Sequence, residues 1–180
     1  MTLKDRKVYV FGENAPLQSI RDRNGNQITI THATGQTGNI TKVTASPSGR
    51  WIDFTYDGSS RITQIKDNMQ RAVSYSYDPS GRLSTVTDPN GGVTQYTYDD
   101  TVPSDANRKT RMLTLRDARN IVFLTNEYDT NGRVSRQTQA DNTTYQFAYT
   151  LDGNGKVTQT DVTIPAAMCA VLISMLTARL

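Results

Sequence analysis

The chain has 180 residues, enough for one ordinary domain, but only 36% are hydrophobic, and Thr, Ser, Asn, Gln and Gly fill much of the rest. That composition argues against the thick core of a compact α/β enzyme and suits a thin sheet buried on one face. The net charge of +3 spreads Lys and Arg among Asp and Glu, which is a mixed surface rather than a basic stripe, and a single Cys rules out an intrachain disulfide.

At the N-terminus, residues 1–13 lack the apolar run of a signal peptide, and no stretch approaches the roughly 20 apolar residues that span a bilayer. The first turn signal is Asp22-Arg23-Asn24-Gly25. Residues 31–50 keep turn signals at Gly35–Gly38 and Ser46–Arg50, but with less regular spacing.

From residue 57 onward a repeat governs the chain. The motif Asp-x-x-Gly-Arg-aliphatic stands at Asp78–Leu83 and Asp129–Val134, with softer copies at Asp57–Ile62 and Asp152–Val157. Asp57, Asp78 and Asp99 are spaced by 21 and 21, and Asp129 and Asp152 by 23. A tyrosine directly precedes four of them (Tyr56, Tyr77, Tyr98 and Tyr128), whereas Leu151 precedes the last, with Tyr149 two residues earlier. Half a period away lies a second bend. Asp88-Pro89-Asn90-Gly91 shows it fully, while Asp67–Gln70 and Asp117–Asn120 keep the aspartate and lose the glycine. Reversals every 10 or 11 residues are the rhythm of a strand meander.

The chemistry of the unit is local. An aspartate opening a turn accepts hydrogen bonds from backbone N–H groups two residues on, and Pro79 and Pro89 preset φ for the second turn position. Gly81, Gly91 and Gly132 suit a left-handed residue closing the hairpin through a bulge. Tyr75/Tyr77 and Tyr96/Tyr98 alternate at period two and share a face, while Leu83 and Val86, three apart, predict a bend or bulge after each turn. The fold expected is all-β: tandem antiparallel hairpins forming a twisted, spiralling sheet. The repeat region is expected over 1–163, in about half a dozen units of roughly 21 residues. An exposed loop is expected at 101–111 and an atypical apolar tail at 164–180.

Candidate chemistry is sparse. His32 is the only histidine, near a Gly-rich turn, and reads as a loop or strand-end residue. Cys169 has no histidine partner nearby. The aspartates invite comparison with acid–base pairs or Ca²⁺ ligands, but their placement at turn starts is explained by turn chemistry. Gly153-x-Gly155 and Gly35–Gly38 lack the spacing and Lys of a phosphate loop. Trp51 reads as packing one sheet face. The tyrosine ladder could stack sugars or, with Arg, nucleic acid; the balanced charge argues against nucleic acid, and cross-strand packing accounts for the ladder without a ligand. No catalytic, cofactor-binding or metal residue, and hence no enzyme, is expected.

The run Tyr75-Ser-Tyr77-Asp78-Pro79-Ser80-Gly81-Arg82-Leu83, continuing to Asp88-Pro89-Asn90-Gly91, resembles the YD repeat of bacterial RHS-repeat proteins, which is related to repeats of insecticidal toxin complexes and teneurins. The resemblance covers roughly residues 9–163. It implies a sheet that spirals into a hollow shell enclosing a C-terminal toxin, hence a bacterial protein that is secreted or at the cell surface. Partners implied are toxin cargo or remaining shell segments, with a carbohydrate-binding surface as the alternative. The units are few for a closed shell, and the family's Asp-Pro-x-Gly-Leu cleavage pattern and a following toxin domain are absent, so a truncated fragment, self-associating through edge strands, is expected.

After Thr163 the apolar run Ile164–Thr177 stands where the repeat calls for Asp-Pro-x-Gly. A one-base shift of reading frame, with permissive codons, turns this run into Asp-Pro-Gly-Gly-Asn-Val and then Asn-Ala-Asp-Gly, which restores both turn signals. The tail is therefore read as a frameshifted end; the alternative is a helix of about 13 residues, too short to span a membrane.

Overall fold

The five-residue bend determines the architecture. In the computed structural model, which describes residues 6–35, 37–99 and 111–164, each aspartate-led bend repeats one geometry. The aspartate N–H donates to the carbonyl of the residue four positions on, as in Asp57 to Arg61 at 2.9 Å and Asp78 to Arg82 at 2.8 Å. The fourth residue then donates back to the aspartate carbonyl, as in Ser60 to Asp57 at 3.0 Å and Gly81 to Asp78 at 2.8 Å. The carboxylate accepts from the backbone inside the loop, so that Asp57 Oδ1 holds Ser59 N–H at 2.8 Å and Arg61 N–H at 3.0 Å. Four backbone N–H groups of the reversal, those of Asp57, Ser59, Ser60 and Arg61, thus find acceptors within it.

Between bends the chain runs as strands rich in Thr, Val, Ile and Tyr, which favour a pleated, half-buried surface. The strands are β1 (Val8–Phe11), β2 (Leu17–Arg21), β3 (Gln27–Thr34), β4 (Thr37–Ser46), β5 (Arg50–Tyr56), β6 (Ile62–Asp67) and β7 (Ala72–Tyr77). They continue as β8 (Leu83–Thr87), β9 (Val93–Tyr98), β10 (Met112–Arg116), β11 (Val122–Tyr128), β12 (Val134–Gln139), β13 (Thr144–Leu151) and β14 (Val157–Thr163). The 14 strands form one sheet in chain order, antiparallel throughout the pairings described, with β1 and β14 at its two ends. The expected all-β meander of tandem hairpins is the fold observed. No helix of the described residues is long and apolar enough to cross a membrane.

Two compact units divide the described residues: one up to Ser76 together with Val86–Gly91, the other Tyr77–Thr85 and everything from Gly92. In the first unit β3 and β4 are the long pair, and they account for the irregular spacing of residues 31–50. They reverse near Gly35, and the next reversal, at Ser46–Gly49, contains a cis Ser46–Pro47 peptide. In the second unit the bends at 117–121, 129–133, 139–143 and 152–156 repeat the common geometry.

The expected bulge after the turn is present: consecutive residues before the aspartate pair with Ile62 and Gln64, Val134 and Arg136, and Val157 and Gln159, so that one extra residue sits in the strand following each of these three turns. Two local expectations are corrected. The bends that lack glycine are no weaker in form, because Ser60, Gln70, Asn120 and Asn142 adopt φ of 61°, 64°, 66° and 62° where Gly81 and Gly132 have 81° and 82°. Arg111 does not belong to the expected 101–111 loop: its carbonyl accepts from Asp99 N–H at 2.9 Å, the same closing bond as in every other bend, so the extra residues are inserted between Asp99 and Arg111. Residues 100–110 and the 165–180 tail lie outside the described residues.

Among the described residues no hydrophobic side chain is fully buried, and the apolar ones are mostly half-covered by strand neighbours. Stability therefore rests on bends and lateral contacts. Gly91, at φ 85° with open space around its Cα, is expected to cost about 1 kcal/mol on substitution by Ala. Gly58, which is equally open but not left-handed, should gain about 0.5 kcal/mol from Gly58→Ala, because the unfolded chain loses freedom. Urea denaturation of the two variants checks the opposite signs.

Candidate functional site

The repeated structure concentrates its polar chemistry on one relay of three side chains. In the bends that begin at Asp57, Asp67, Asp78 and Asp129 the second carboxylate oxygen holds the arginine four residues on. Arg61 Nε lies 2.8 Å from Asp57 Oδ2, Arg82 Nε 2.6 Å from Asp78 Oδ2, and Arg133 Nε 2.7 Å from Asp129 Oδ2. The guanidinium, held flat, then covers a tyrosine of the next strand: Arg82 sits 4.6 Å from the Tyr98 ring centroid, Arg133 4.8 Å from Tyr149 and Arg111 5.4 Å from Tyr128. Finally the phenol hydroxyl donates to the carbonyl that follows the arginine. Tyr98 reaches Leu83 O at 2.8 Å, Tyr128 reaches Met112 O at 2.7 Å, and Tyr149 reaches Val134 O at 2.7 Å. Tyr56 also donates to a backbone carbonyl of a neighbouring strand, that of Ile40 at 2.8 Å, but there an asparagine rather than an arginine precedes the carbonyl residue.

The spacing explains the tyrosine that is out of place in the sequence. Each hydroxyl meets a carbonyl 15 or 16 residues earlier, and Tyr149 obeys this although it stands three residues before its aspartate. The constant is the distance back to the previous bend, and the two extra residues of the 23-residue unit fall after the ring. Gly132 has φ 82°, which favours glycine, and a Cβ there would also have to displace the Arg111 guanidinium.

The ionisation states follow from these contacts. Asp57 is held below the ordinary carboxylate range, first by the Arg61 N–H, against the upward push of burial, and further by the Arg61 guanidinium. For Asp78 and Asp129 burial is the largest single influence and pushes upward, but the backbone N–H and guanidinium of Arg82 and Arg133 together outweigh it. Burial pushes the Tyr98 and Tyr128 hydroxyls up.

The remaining candidates are dispersed. His32 is not a loop residue: it lies within β3, 6% exposed, with Nδ1 3.0 Å from Gly38 O and Nε2 3.2 Å from Leu17 O, so it links β2, β3 and β4. Asn126, 5% exposed and unmarked by any motif, donates to Met112 O at 2.9 Å and accepts from Gln137. Trp51 carries Lys42 Nζ 4.2 Å above its ring and lines a concavity of about 680 Å³ with Ile28, Val43, Ile52 and Met69. Gly35–Gly38 and Gly153-x-Gly155 form reversals. Among the described residues no group of three or more His, Cys, Asp or Glu could hold a metal ion. Cys169 lies outside the described residues.

A sheet of hairpins joined by this relay is an all-β tandem-repeat fold. Residues 77–119 match the family described as RHS Repeat. No curated protein matches the sequence. Its fold is similar to a chain of the TcdB2-TccC3-Cdc42 crystal structure, with 16% identity and a TM-score of 0.59, and to one of TcdB2-TccC3 without its hypervariable C-terminal region, with 18% identity and 0.59. A chain of the Photorhabdus luminescens Tc holotoxin pore gives 17% and 0.58. Each likeness covers 89% of this chain and 9% of the other, so the chain spans less than a tenth of the length of those it matches.

Carboxyls whose proton affinity is lowered by folding stabilise the fold above the free carboxyl range, and that contribution is lost as pH falls through it. Thermal unfolding followed by circular dichroism should show a steady Tm down to about pH 5 and a decline below about pH 4. Tyr98→Phe, which leaves the Leu83 carbonyl without its donor, should cost about 1 kcal/mol at neutral pH and leave the acid decline in place.

Proposed function

We propose that the chain is a structural segment of an RHS-type β-shell, a wall that encloses or presents a C-terminal toxin in bacterial competition, without catalytic activity of its own. The observation that carries this reading is the Asp–Arg–Tyr relay. The bends closed by Arg82, Arg111 and Arg133 are each completed by a tyrosine of the following strand, so such a unit gains its stability beside a neighbour, which is the energetic logic of an extended wall. The likeness in fold to TcdB2-TccC3 structures supports it.

The partners on this reading are further shell segments and toxin cargo, and the setting is secreted or at the cell surface. Sugar stacking finds little support: the ladder tyrosines Tyr98, Tyr128 and Tyr149 already have one ring face covered by arginine and their hydroxyls engaged. The repeat region over 1–163 and the truncated character of the chain belong to the same proposal.

Two experiments test it. Sequencing the gene through the codons of Ile164–Thr177 and beyond is expected to show, one base out of frame, further Asp-x-x-Gly-Arg units; a downstream frame without them overturns truncation. In the frame-restored protein, limited proteolysis should leave the segment after the repeats protected until the sheet is unfolded. Cleavage of that segment at the rate of a free peptide would overturn the enclosing role.

A further inference from the structure

One face of the first unit holds a concavity that the Asp–Arg–Tyr relay does not use. Ile28, Ala45 and Arg50 stand directly opposite one another across β3, β4 and β5, and Val43 and Ile52, two positions along, form the next row of the same face. With Met69 of the bend at 67–71 they line a space of about 680 Å³. It shares Ile28 and Ala45 with a neighbouring concavity of about 370 Å³ that continues to Ile20 and Pro47. Small-molecule pockets have about 300–1,000 Å³ and a mostly apolar wall with a few well-placed polar groups. Ile28, Ile52 and Met69 are 41%, 42% and 70% exposed, so such a wall stands open here.

A single charge gives this space its chemistry. Arg61, Arg82 and Arg133 are each closed on the aspartate four residues before. The bend Ser46-Pro47-Ser48-Gly49-Arg50 keeps the glycine and arginine of that motif but has Ser46 where the aspartate stands. Arg50 is therefore a repeat arginine without its carboxylate, and among the described residues its guanidinium has no ion pair or hydrogen bond. The other charges of the wall are occupied. Asp67 Oδ2 takes Arg71 Nε at 2.8 Å, and its Oδ1 takes the Met69 N–H at 2.9 Å.

We propose that the concavity binds an aliphatic monocarboxylate, a free fatty acid, with its alkyl chain over Ile28, Val43, Ile52 and Met69 and its carboxylate on the Arg50 guanidinium. A guanidinium fork matches a carboxylate with two parallel hydrogen bonds. One unpaired cation suits one negative charge, whereas a phosphate monoester would bring nearly two beside the Asp67 carboxylate. The aliphatic wall offers no row of donors and acceptors for a sugar. This site does not rest on the shell reading, because all its residues lie within the first unit and none of the apolar ones belongs to the relay.

The test is calorimetric titration of the full chain with decanoate, followed in parallel by the emission of Trp51, the sole tryptophan, which borders the space. One saturable site per chain is expected. Affinity should rise about two- to fourfold for each methylene from octanoate to dodecanoate. Decanol, which has the chain without the charge, should bind about tenfold more weakly than decanoate. Arg50→Gln should weaken decanoate about tenfold and leave decanol unchanged, which separates a lost charge contact from a misfolded wall. Met69→Ser, at a position exposed enough to leave the fold intact, should weaken acid and alcohol alike, severalfold. Binding that never saturates, equal affinity for decanoate and decanol, or decanoate affinity indifferent to Arg50→Gln overturns the proposal.

Discussion

Everything in this sheet depends on one cation being shared between two hairpins. The guanidinium of Arg82 or Arg133 is neutralised by the aspartate of its own bend and stacked on a tyrosine of the next strand. The carboxylate can serve it because one oxygen is enough for the loop backbone. Paired with its own aspartate, the arginine stays planar and oriented, which is what a stacking contact needs. The tyrosine then returns a hydrogen bond to the strand that begins at the arginine. Local turn chemistry is thus turned into a lateral connection, and the unit becomes a repeat that must be followed by another.

This arrangement accounts for a protein with so little apolar mass. Among the described residues no hydrophobic side chain is sealed from water, and the two most buried side chains, His32 and Asn126, are polar. Both donate to or face backbone carbonyls of neighbouring strands, the same role the tyrosines play with larger side chains. Each lateral contact is modest, about 1 kcal/mol for a hydrogen bond and about 0.5–1 kcal/mol for a stacked cation, so stability accrues by repetition.

The meander and its bends were legible in the sequence because they are local. An aspartate, a left-handed residue and a hydrophobic restart within five positions are chemistry that adjacent residues complete among themselves. The limits of that legibility were also local. Gln139–Thr143 makes the same bend without an aspartate at its head, and Gln70 and Asn142 take the left-handed place without glycine, because the surrounding strands hold them there. The function of the arginine was not legible, although its position four after Asp57, Asp78 and Asp129 was, since its second partner lies on the following strand and depends on strand register. His32 escaped for the same reason: its two carbonyls belong to strands on either side.

The insertion between Asp99 and Arg111 has a consequence for how such chains diversify. Eleven residues intervene where other bends have three, yet the closing bond from Asp99 to the Arg111 carbonyl and the stacking of Arg111 on Tyr128 are kept. The hairpin mouth, rather than its tip, is what the sheet recognises. Foreign peptides could be grafted at any of these tips without re-registering a strand, which makes the repeat a display scaffold whose outer rim can vary while its weave is conserved.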